Sequence, residues 1–232
     1  MTRLAAKPPR PLRQPEPQVE LRDVQHVVLD GMSWDFYERL LKEIGDRPIR
    51  ITFDNGMLEI MAPLSEHEIP KGFISWMIKT LALLIDRPMK SGGSTTFRRR
   101  EKQKGLEPDE CFFFESSPKM HRVKRWNPKV HPPPDLAVEI DIFSRSIGRE
   151  PIYAVLGVRE LWRYDGQNLR CFHLINDQYS LRKYSKAFPF LEVALLRQFL
   201  DRLDEIDDET KVMREFMAWV KKNGWASGQG SE

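Results

Sequence analysis

The stretch PPPDLAVEIDI at residues 132–142 constrains the fold more than any other segment of the chain. If residues 135–142 are extended, successive side chains point to opposite faces of the strand. One face then carries only Leu, Val and Ile, while the other carries Asp135, Ala137, Glu139 and Asp141. In a partly buried site such stacked acids, about 7 Å apart, repel each other unless a cation or protons neutralise them.

Composition favours one medium-sized globular domain with a sizeable core, since the 232 residues are 41% apolar and 31% charged. No apolar run approaches the roughly 20 residues that span a bilayer, and the N-terminus lacks the apolar segment of a secretory signal. We therefore expect a cytoplasmic protein with no membrane contact. Cys111 and Cys171 lie in apolar strand-like runs without a CxxC spacing, which indicates reduced core residues.

Hydrophobic periodicity predicts alternating helices and strands after a Pro-rich arm. The predicted helices are one capped by Ser33 and closed by Gly45, a long one with Pro70 near its first turn, a short one at 147–157, and two at 190–203 and 208–222. The predicted strands are a hairpin at 49–61 on an Asn-Gly turn, followed by 95–100, 110–115, 135–143, 160–165 and 168–175.

Positive charge is concentrated in residues 97–104 and in the acid-free segment 116–134, which connects two predicted strands. A connection this long is more often a functional loop than filler. Lys124, Arg125 and Trp126 in this segment, together with Arg98 and His67, are the candidate nucleic-acid contacts.

Structural alternatives exist for these residues. The arginines at 98–100 can guard an exposed strand edge, because charge prevents edge-to-edge pairing. Trp126 can stack on a base or pin its own loop. His67 can cap a helix or satisfy a local hydrogen bond.

The pair Pro108-Asp109 opens a second strand that can lie beside residues 135–142 and so adds a further acid. Carboxylates on adjacent strands are the hard oxygen ligands that Mg²⁺ prefers. Such a cation supports phosphodiester cleavage by activating water and stabilising charge. The alternative is an ordinary solvent-exposed sheet face. If Asp109, Glu139 and Asp141 share one pocket, Glu139→Gln is expected to leave the metal-free protein as stable or more stable, because one repelling charge is removed.

The order of these motifs resembles a known family. The motifs are Gly56-Met57-Leu58-Glu59, His67 before a long helix, EPDECFFF at 107–114, PPDLAVEIDI at 133–142, and IYAVLGVRELWRYDG at 152–166. Together, over residues 30–195, they resemble the Uma-type family of restriction-endonuclease-like proteins, which belongs to the PD-(D/E)XK nuclease superfamily.

The resemblance implies a fold of the α/β (α+β) class: a restriction-endonuclease-like mixed β-sheet flanked by helices, with an N-terminal helix and hairpin and C-terminal helices. It implies Asp109 and Glu139 as ligands of a divalent metal. The superfamily lysine expected two residues after the second acid is replaced here by Asp141. Many family members place that lysine four residues before a tyrosine like Tyr153, a position held here by Arg149. Arginine can hold phosphate but stays protonated, so it cannot act as a general base.

The leading hypothesis is a DNA endonuclease that depends on Mg²⁺ or Mn²⁺ and cleaves with metal-activated water. Asp109 and Glu139 are its metal ligands, Asp141 is an additional ligand or water positioner, and Arg149 contacts the phosphate. One alternative is a nuclease-fold protein that binds nucleic acid or a protein partner without cutting. A third is a structural protein whose acids face solvent.

Three segments follow from this interpretation: a disordered Pro-rich arm at 1–22, a nuclease-like domain at 23–205, and a C-terminal helix with a flexible tail at 206–232. The expected partner is DNA. A homodimer is suggested only by analogy with double-strand cutters, which often pair two active sites.

Overall fold

The computed structural model describes residues 26–62, 65–142 and 147–223. The arm predicted at 1–22 and the tail predicted after the last helix lie outside the described residues. Within the described ranges, no helix is both long enough and apolar enough to cross a membrane.

The first sheet has five antiparallel strands in the order β1-β3-β2-β6-β5. Its strands are β1 (His26–Leu29), β2 (Arg50–Asp54), β3 (Met57–Met61), β5 (Phe97–Arg99) and β6 (Lys104–Leu106). Helix α1 (Trp34–Ile44) packs Trp34 and Tyr37 against this sheet. The side chain of Ser33 caps the helix by accepting from the amide of Phe36 at 3.1 Å. The predicted cap and the predicted hairpin turn at Asn55-Gly56 are therefore confirmed.

The second sheet has six strands in the order β11-β10-β9-β8-β7-β4. Its strands are β4 (Lys90–Ser91), β7 (Glu110–Phe113), β8 (Leu136–Ile140), β9 (Glu160–Tyr164), β10 (Leu169–Ile175) and β11 (Gln178–Arg182). Strands β8 and β9 are parallel, and the other neighbours are antiparallel. A parallel pair needs a crossover connection, which here contains helix α4 (Glu150–Leu156).

Helices cover both faces of the second sheet. One face packs against α2 (Ser65–Leu84), α5 (Arg197–Glu205) and α6 (Glu209–Lys222). The other face packs against α4 and the short helix α3 (Ser117–Met120). Short 3-10 turns at Arg100–Lys102 and Val193–Leu196 complete the described elements.

The alternation predicted for residues 135–142 separates the two cores. Leu136, Val138 and Ile140 are buried on the side of α2. Ala137 is buried on the other side, together with Tyr153 of α4. The sequence pattern thus oriented this strand correctly, and Glu139 points to the face that carries α4.

The predicted class, mixed α and β with flanking helices, is confirmed, and three details differ. The strands form two sheets instead of one. Helix α2 begins at Ser65, so Pro70 lies inside the helix and not at its start. Strands β1, β4, β6 and β11 were not predicted, because they are short or lack a clear apolar alternation.

Candidate active site and basic groove

The register of β7 and β8 brings the first two predicted ligands together. Glu110 pairs with Val138 in this antiparallel ladder, so Asp109, one residue earlier, lies beside Glu139. The Oδ2 atom of Asp109 accepts the backbone N–H of Ile140 at 2.8 Å. Asp109 and Glu139 are only 4% and 1% exposed. The two carboxylates therefore occupy a buried site at the junction of adjacent strands.

Glu139 is neutralised by groups from α4. Both of its carboxylate oxygens lie 2.9 Å from Nη1 of Arg149. Its Oε1 atom also accepts the hydroxyl of Tyr153. Burial and the neighbouring Glu139 raise the pKa of Tyr153 well above its usual value, so this phenol remains a proton donor.

Arg149 stands at the N-cap position of α4, where the chain turns into the crossover helix. Its Nη1 also donates to the backbone carbonyl of Glu107 at 3.1 Å, while Nε is buried without a hydrogen-bond partner in the described structure. Burial alone lowers the pKa of Arg149, but the charge of Glu139 outweighs it and raises this pKa above its usual value. Arg149 is therefore a permanent cation with one donor unused.

Asp141 lies at the edge of the same site. Its Oδ2 accepts Nε of Arg163 from β9 at 2.7 Å, and Arg163 also pairs with Glu150 at the start of α4. A cavity of about 240 Å³ opens at this point and is lined by Glu139, Asp141, Arg149, Glu150 and Arg163, among others. Residues 143–146, which follow β8 after Ile142, lie outside the described ranges.

Each acid of the opening motif has its own hydrogen-bond or ion-pair partner. Asp135 accepts the amides of Phe114 and Ser116 at 2.8 and 3.2 Å, so its role is to hold the turn after β7. Glu139 pairs with Arg149, and Asp141 pairs with Arg163. The solvent-face alternative is therefore wrong for Glu139. The repulsion expected among these acids is also not the dominant electrostatic feature of the site.

A larger groove contains most of the predicted nucleic-acid contacts. It has a volume of about 1370 Å³ and runs between α1, β5 and the loop at 124–131. Its cationic residues are Lys42, Arg98, Arg100, Lys124, Arg125 and Lys129, and its acidic residues are Glu38, Asp46, Glu101 and Glu107. The backbone of Glu107 accepts from Arg149, so the segment that leads to Asp109 borders both the groove and the active-site cavity.

Trp126 holds the loop that forms one wall of the groove. Its Nε1 donates to the carbonyl of Pro132 at 2.7 Å, and its ring meets Phe97 edge to face at 4.9 Å. The loop-pinning alternative therefore describes Trp126 in this structure. Lys124 and Arg125, directly before it, are exposed.

The remaining two candidates have different surroundings. Arg98 lies on the edge strand β5, with Nε 3.9 Å from Glu38 of α1. The predicted role of this arginine cluster at a sheet edge is consistent with that position. His67 is buried near the start of α2, so its side chain is not presented at the surface of the groove.

A divalent metal at Asp109 and Glu139 is implied by the sequence resemblance, and the donor chemistry of the site fits such an ion. Both residues offer carboxylate oxygens, the ligands that Mg²⁺ and Mn²⁺ prefer. Glu139 now holds a guanidinium cation at 2.9 Å, so a metal at this carboxylate would share it with Arg149 or displace that contact. Asp109 contributes to the raised pKa of Arg149 and so acts on the same cation.

Two residues of the site were not predicted from sequence, Tyr153 and Arg163. The spacing of Arg149 and Tyr153 is four residues, which places both side chains on one face of a helix and was the available signal. Arg163 lies opposite Glu139 in the parallel register of β8 and β9. No local pattern encodes that register, so Arg163 could be found only from the fold.

The chain is similar to a protein family and to a solved structure. The crystal structure of a "putative nuclease belonging to DUF820" from Anabaena variabilis is similar with a TM-score of 0.43 and 13% identity, over 78% of this chain and 97% of that chain. A search of curated proteins finds no match. The model of the Uma2 family, described as "Putative restriction endonuclease", matches residues 34–204. This range includes both acids, Arg149 and the basic groove. The chain therefore belongs to the Uma2 family.

Proposed function

We propose that this protein is a metal-dependent endonuclease that cleaves DNA phosphodiester bonds. The observation that carries the proposal is the pairing of Asp109 and Glu139 on adjacent strands, with Arg149 against them, beside a basic groove. Membership of the Uma2 family supports the same reaction class. Acids gathered in a cavity together with a cation that can stabilise charge are features by which an active site is recognised.

Asp109 and Glu139 would hold the metal, Mg²⁺ or Mn²⁺. When bound, this ion supplies activation of water and stabilisation of charge on the phosphate. The amide of Ile140 fixes the orientation of Asp109 through its bond to Oδ2. Asp141, oriented by Arg163, faces the same cavity and would position water.

Arg149 would hold the scissile phosphate. It is a permanent cation that lines the cavity, and a guanidinium is a group suited to phosphate oxygens. Because it does not lose its proton, Arg149 cannot accept one from water. Its roles are therefore charge stabilisation and positioning, while Tyr153 keeps Glu139 in place.

The basic groove would bind the DNA backbone. Lys124 and Arg125 are exposed on the wall that Trp126 anchors, and Arg98 lies on the same groove. Contacts from lysine and arginine to phosphates supply affinity without reading sequence. Trp126 donates a hydrogen bond to Pro132 and packs its ring against Phe97. It would therefore position these cations and not stack on a base.

A second candidate function is binding of nucleic acid or a partner without cleavage. The contact that favours it is the ion pair of Arg149 with both oxygens of Glu139. A guanidinium at this position competes with a metal for the carboxylate. The two functions differ in what happens to bound DNA.

Incubation with supercoiled plasmid in Mg²⁺ or Mn²⁺ tests the proposal directly. The expected result is conversion to nicked or linear DNA, which chelation of the metal and the variants Asp109→Asn and Glu139→Gln abolish. The matched control is Glu115→Gln, which removes an exposed carboxylate paired with Arg159 and should leave cleavage unchanged. Intact plasmid together with tight DNA binding would favour the second function.

The predicted homodimer is tested with the same samples. Sedimentation analysis with and without DNA measures the molecular mass in solution. Linear product in a single binding event is expected only if two active sites are paired.

A further inference from the structure

A second cluster of metal-ligand side chains lies on the other face of the six-stranded sheet. His173 of β10 is opposite Glu160 of β9 in the antiparallel register, and Cys171, two residues earlier, lies on the same face of β10. In the parallel ladder Glu160 is level with Leu136, whereas Arg163 is level with Glu139. Since side chains alternate along a strand, Glu160 and Glu139 lie on opposite faces. The cluster is therefore separate from the proposed nuclease site.

The ligand atoms of this cluster already converge. One carboxylate oxygen of Glu160, the Sγ of Cys171 and one imidazole nitrogen of His173 all lie within 4.8 Å of one another. The Oε1–Sγ distance is 3.3 Å. Zinc bonds of about 2.3 Å to sulfur and about 2.1 Å to oxygen, set at a tetrahedral angle, place those two atoms about 3.6 Å apart. The observed separation is close to the sulfur–oxygen distance expected in a tetrahedral zinc site.

Glu160 is held in place by three donors that a metal would not disturb. Its Oε2 accepts the amides of Lys186 and Ala187 at 3.0 and 2.8 Å, and its Oε1 accepts Nε1 of Trp162 at 2.7 Å. The fourth donor is the thiol of Cys171 on Oε1. A metal that replaced the thiol proton would take the same side of Oε1 and leave the other three bonds intact.

His173 supplies a second, independent indication of a ligand. Its Nε2 is buried and has no hydrogen-bond partner within the described structure. A buried polar nitrogen without a partner is costly and therefore uncommon. Coordination of a metal by the lone pair of this nitrogen would satisfy it.

We propose that Glu160, Cys171 and His173 bind Zn²⁺. Thiolate, imidazole and carboxylate together suit zinc and do not suit Mg²⁺, which takes oxygen ligands. Binding converts the Cys171 thiol to a metal thiolate and releases one proton to solvent, with no change of oxidation state. Three protein ligands leave one position for water. Because Glu160 also holds the amides of Lys186 and Ala187, the ion would fasten β9 and β10 to that segment.

Cobalt substitution provides the most direct test. Co²⁺ titrated into the metal-free full-length chain is expected to give a thiolate-to-cobalt absorption band, which one equivalent of Zn²⁺ removes. Cys171→Ser should eliminate the band, and Cys111→Ser, which changes the other buried thiol, should retain it. Glu139→Gln should also retain it, so the result is independent of the nuclease proposal.

Zn²⁺ affinity gives a second readout if Cys171→Ser folds poorly. His173→Gln is expected to weaken Zn²⁺ binding by at least about tenfold and to reduce the rise in melting temperature that Zn²⁺ causes in the wild type. In Glu139→Gln, which lacks a ligand of the proposed nuclease metal, Mg²⁺ at the same concentration should not raise the melting temperature as Zn²⁺ does. Absence of a thiolate band in the wild type, or a band that persists in Cys171→Ser, would overturn the proposed site.

Discussion

A single guanidinium nitrogen of Arg149 lies 2.9 Å from both carboxylate oxygens of Glu139, and the two side chains are 5% and 1% exposed. Charges so deeply buried are tolerated because each compensates the other. Tyr153 adds a third contact to the same carboxylate. The pair joins the central strand β8 to the start of α4, so the candidate active site is also a structural connection.

Arg149→Ala is predicted to destabilise the metal-free protein by about 3–5 kcal/mol, because it leaves Glu139 buried without its cation. Glu139→Gln should destabilise in the same direction, since it leaves Arg149 uncompensated. This reverses the expectation from sequence that Glu139→Gln relieves repulsion. The sequence did not identify Arg149 as the partner of Glu139, and this arginine already neutralises the charge of Glu139. Urea denaturation of the three proteins without metal measures both differences.

The double variant Glu139→Gln with Arg149→Met serves as the control for this prediction. Removing both charges together should cost less than the sum of the single changes, because neither charge is left unpaired. Additive losses would mean that the two residues do not compensate each other.

Arg149→Lys is predicted to keep the fold and to raise any cleavage rate. Lysine preserves the positive charge opposite Glu139 and is the residue that the family resemblance implies at this position. It loses the planar guanidinium whose Nη1 also donates to the carbonyl of Glu107, so a modest fall in melting temperature is expected. Plasmid cleavage and thermal melting are measured on the same preparation. A fully unfolded variant would indicate that the guanidinium is required for structure alone.

Glu107→Gln is predicted to stabilise the protein more at pH 7 than at pH 4. Burial raises the pKa of Glu107 above its ordinary 4.5, and the hydrogen bond from Thr96 only partly opposes this. Between the unfolded and the folded pKa the native state binds more protons, so the contribution of Glu107 to stability falls as pH rises through that window. Glutamine retains an oxygen for Thr96 and does not titrate.

Urea denaturation at the two pH values measures this difference for wild type and Glu107→Gln. The exposed Glu115→Gln is the matched control, for which a smaller pH-dependent difference is expected because its carboxylate faces water. A gain for Glu107→Gln that is equal at both pH values would contradict the burial argument.

The parts of this molecule that sequence predicted are those encoded by short-range patterns. Alternation along residues 135–142 correctly separated Glu139 from the apolar face of β8, and Ser33 identified the start of α1. The partners of the acids could not be obtained in this way. Arg163 reaches Asp141 through the parallel register of β8 and β9, which is fixed by the crossover and not by local spacing.

The division into two sheets was missed for a related reason. Strands β4 and β6 are two and three residues long, which is shorter than the run of about four alternating residues by which a strand is recognised. Their pairing depends on β7 and β2, which lie elsewhere in the chain. Pairing at such distances follows from burial of the whole core and is not visible in a window of sequence.

The last prediction concerns Lys124 and Arg125, which are exposed on the groove directly before the anchored Trp126. If both contact phosphates, Lys124→Ala with Arg125→Ala should weaken DNA binding and reduce the slope of log affinity against log salt by about 1.8, since each lost contact releases about 0.9 fewer counterions. Lys221→Ala with Lys222→Ala removes the same charge from the last turn of α6 and is the matched control. Fluorescence anisotropy at several salt concentrations measures both slopes. The loop is a DNA contact only if the slope falls for the Lys124 and Arg125 variant and not for the control variant. Equal changes in the two variants would reflect net charge alone.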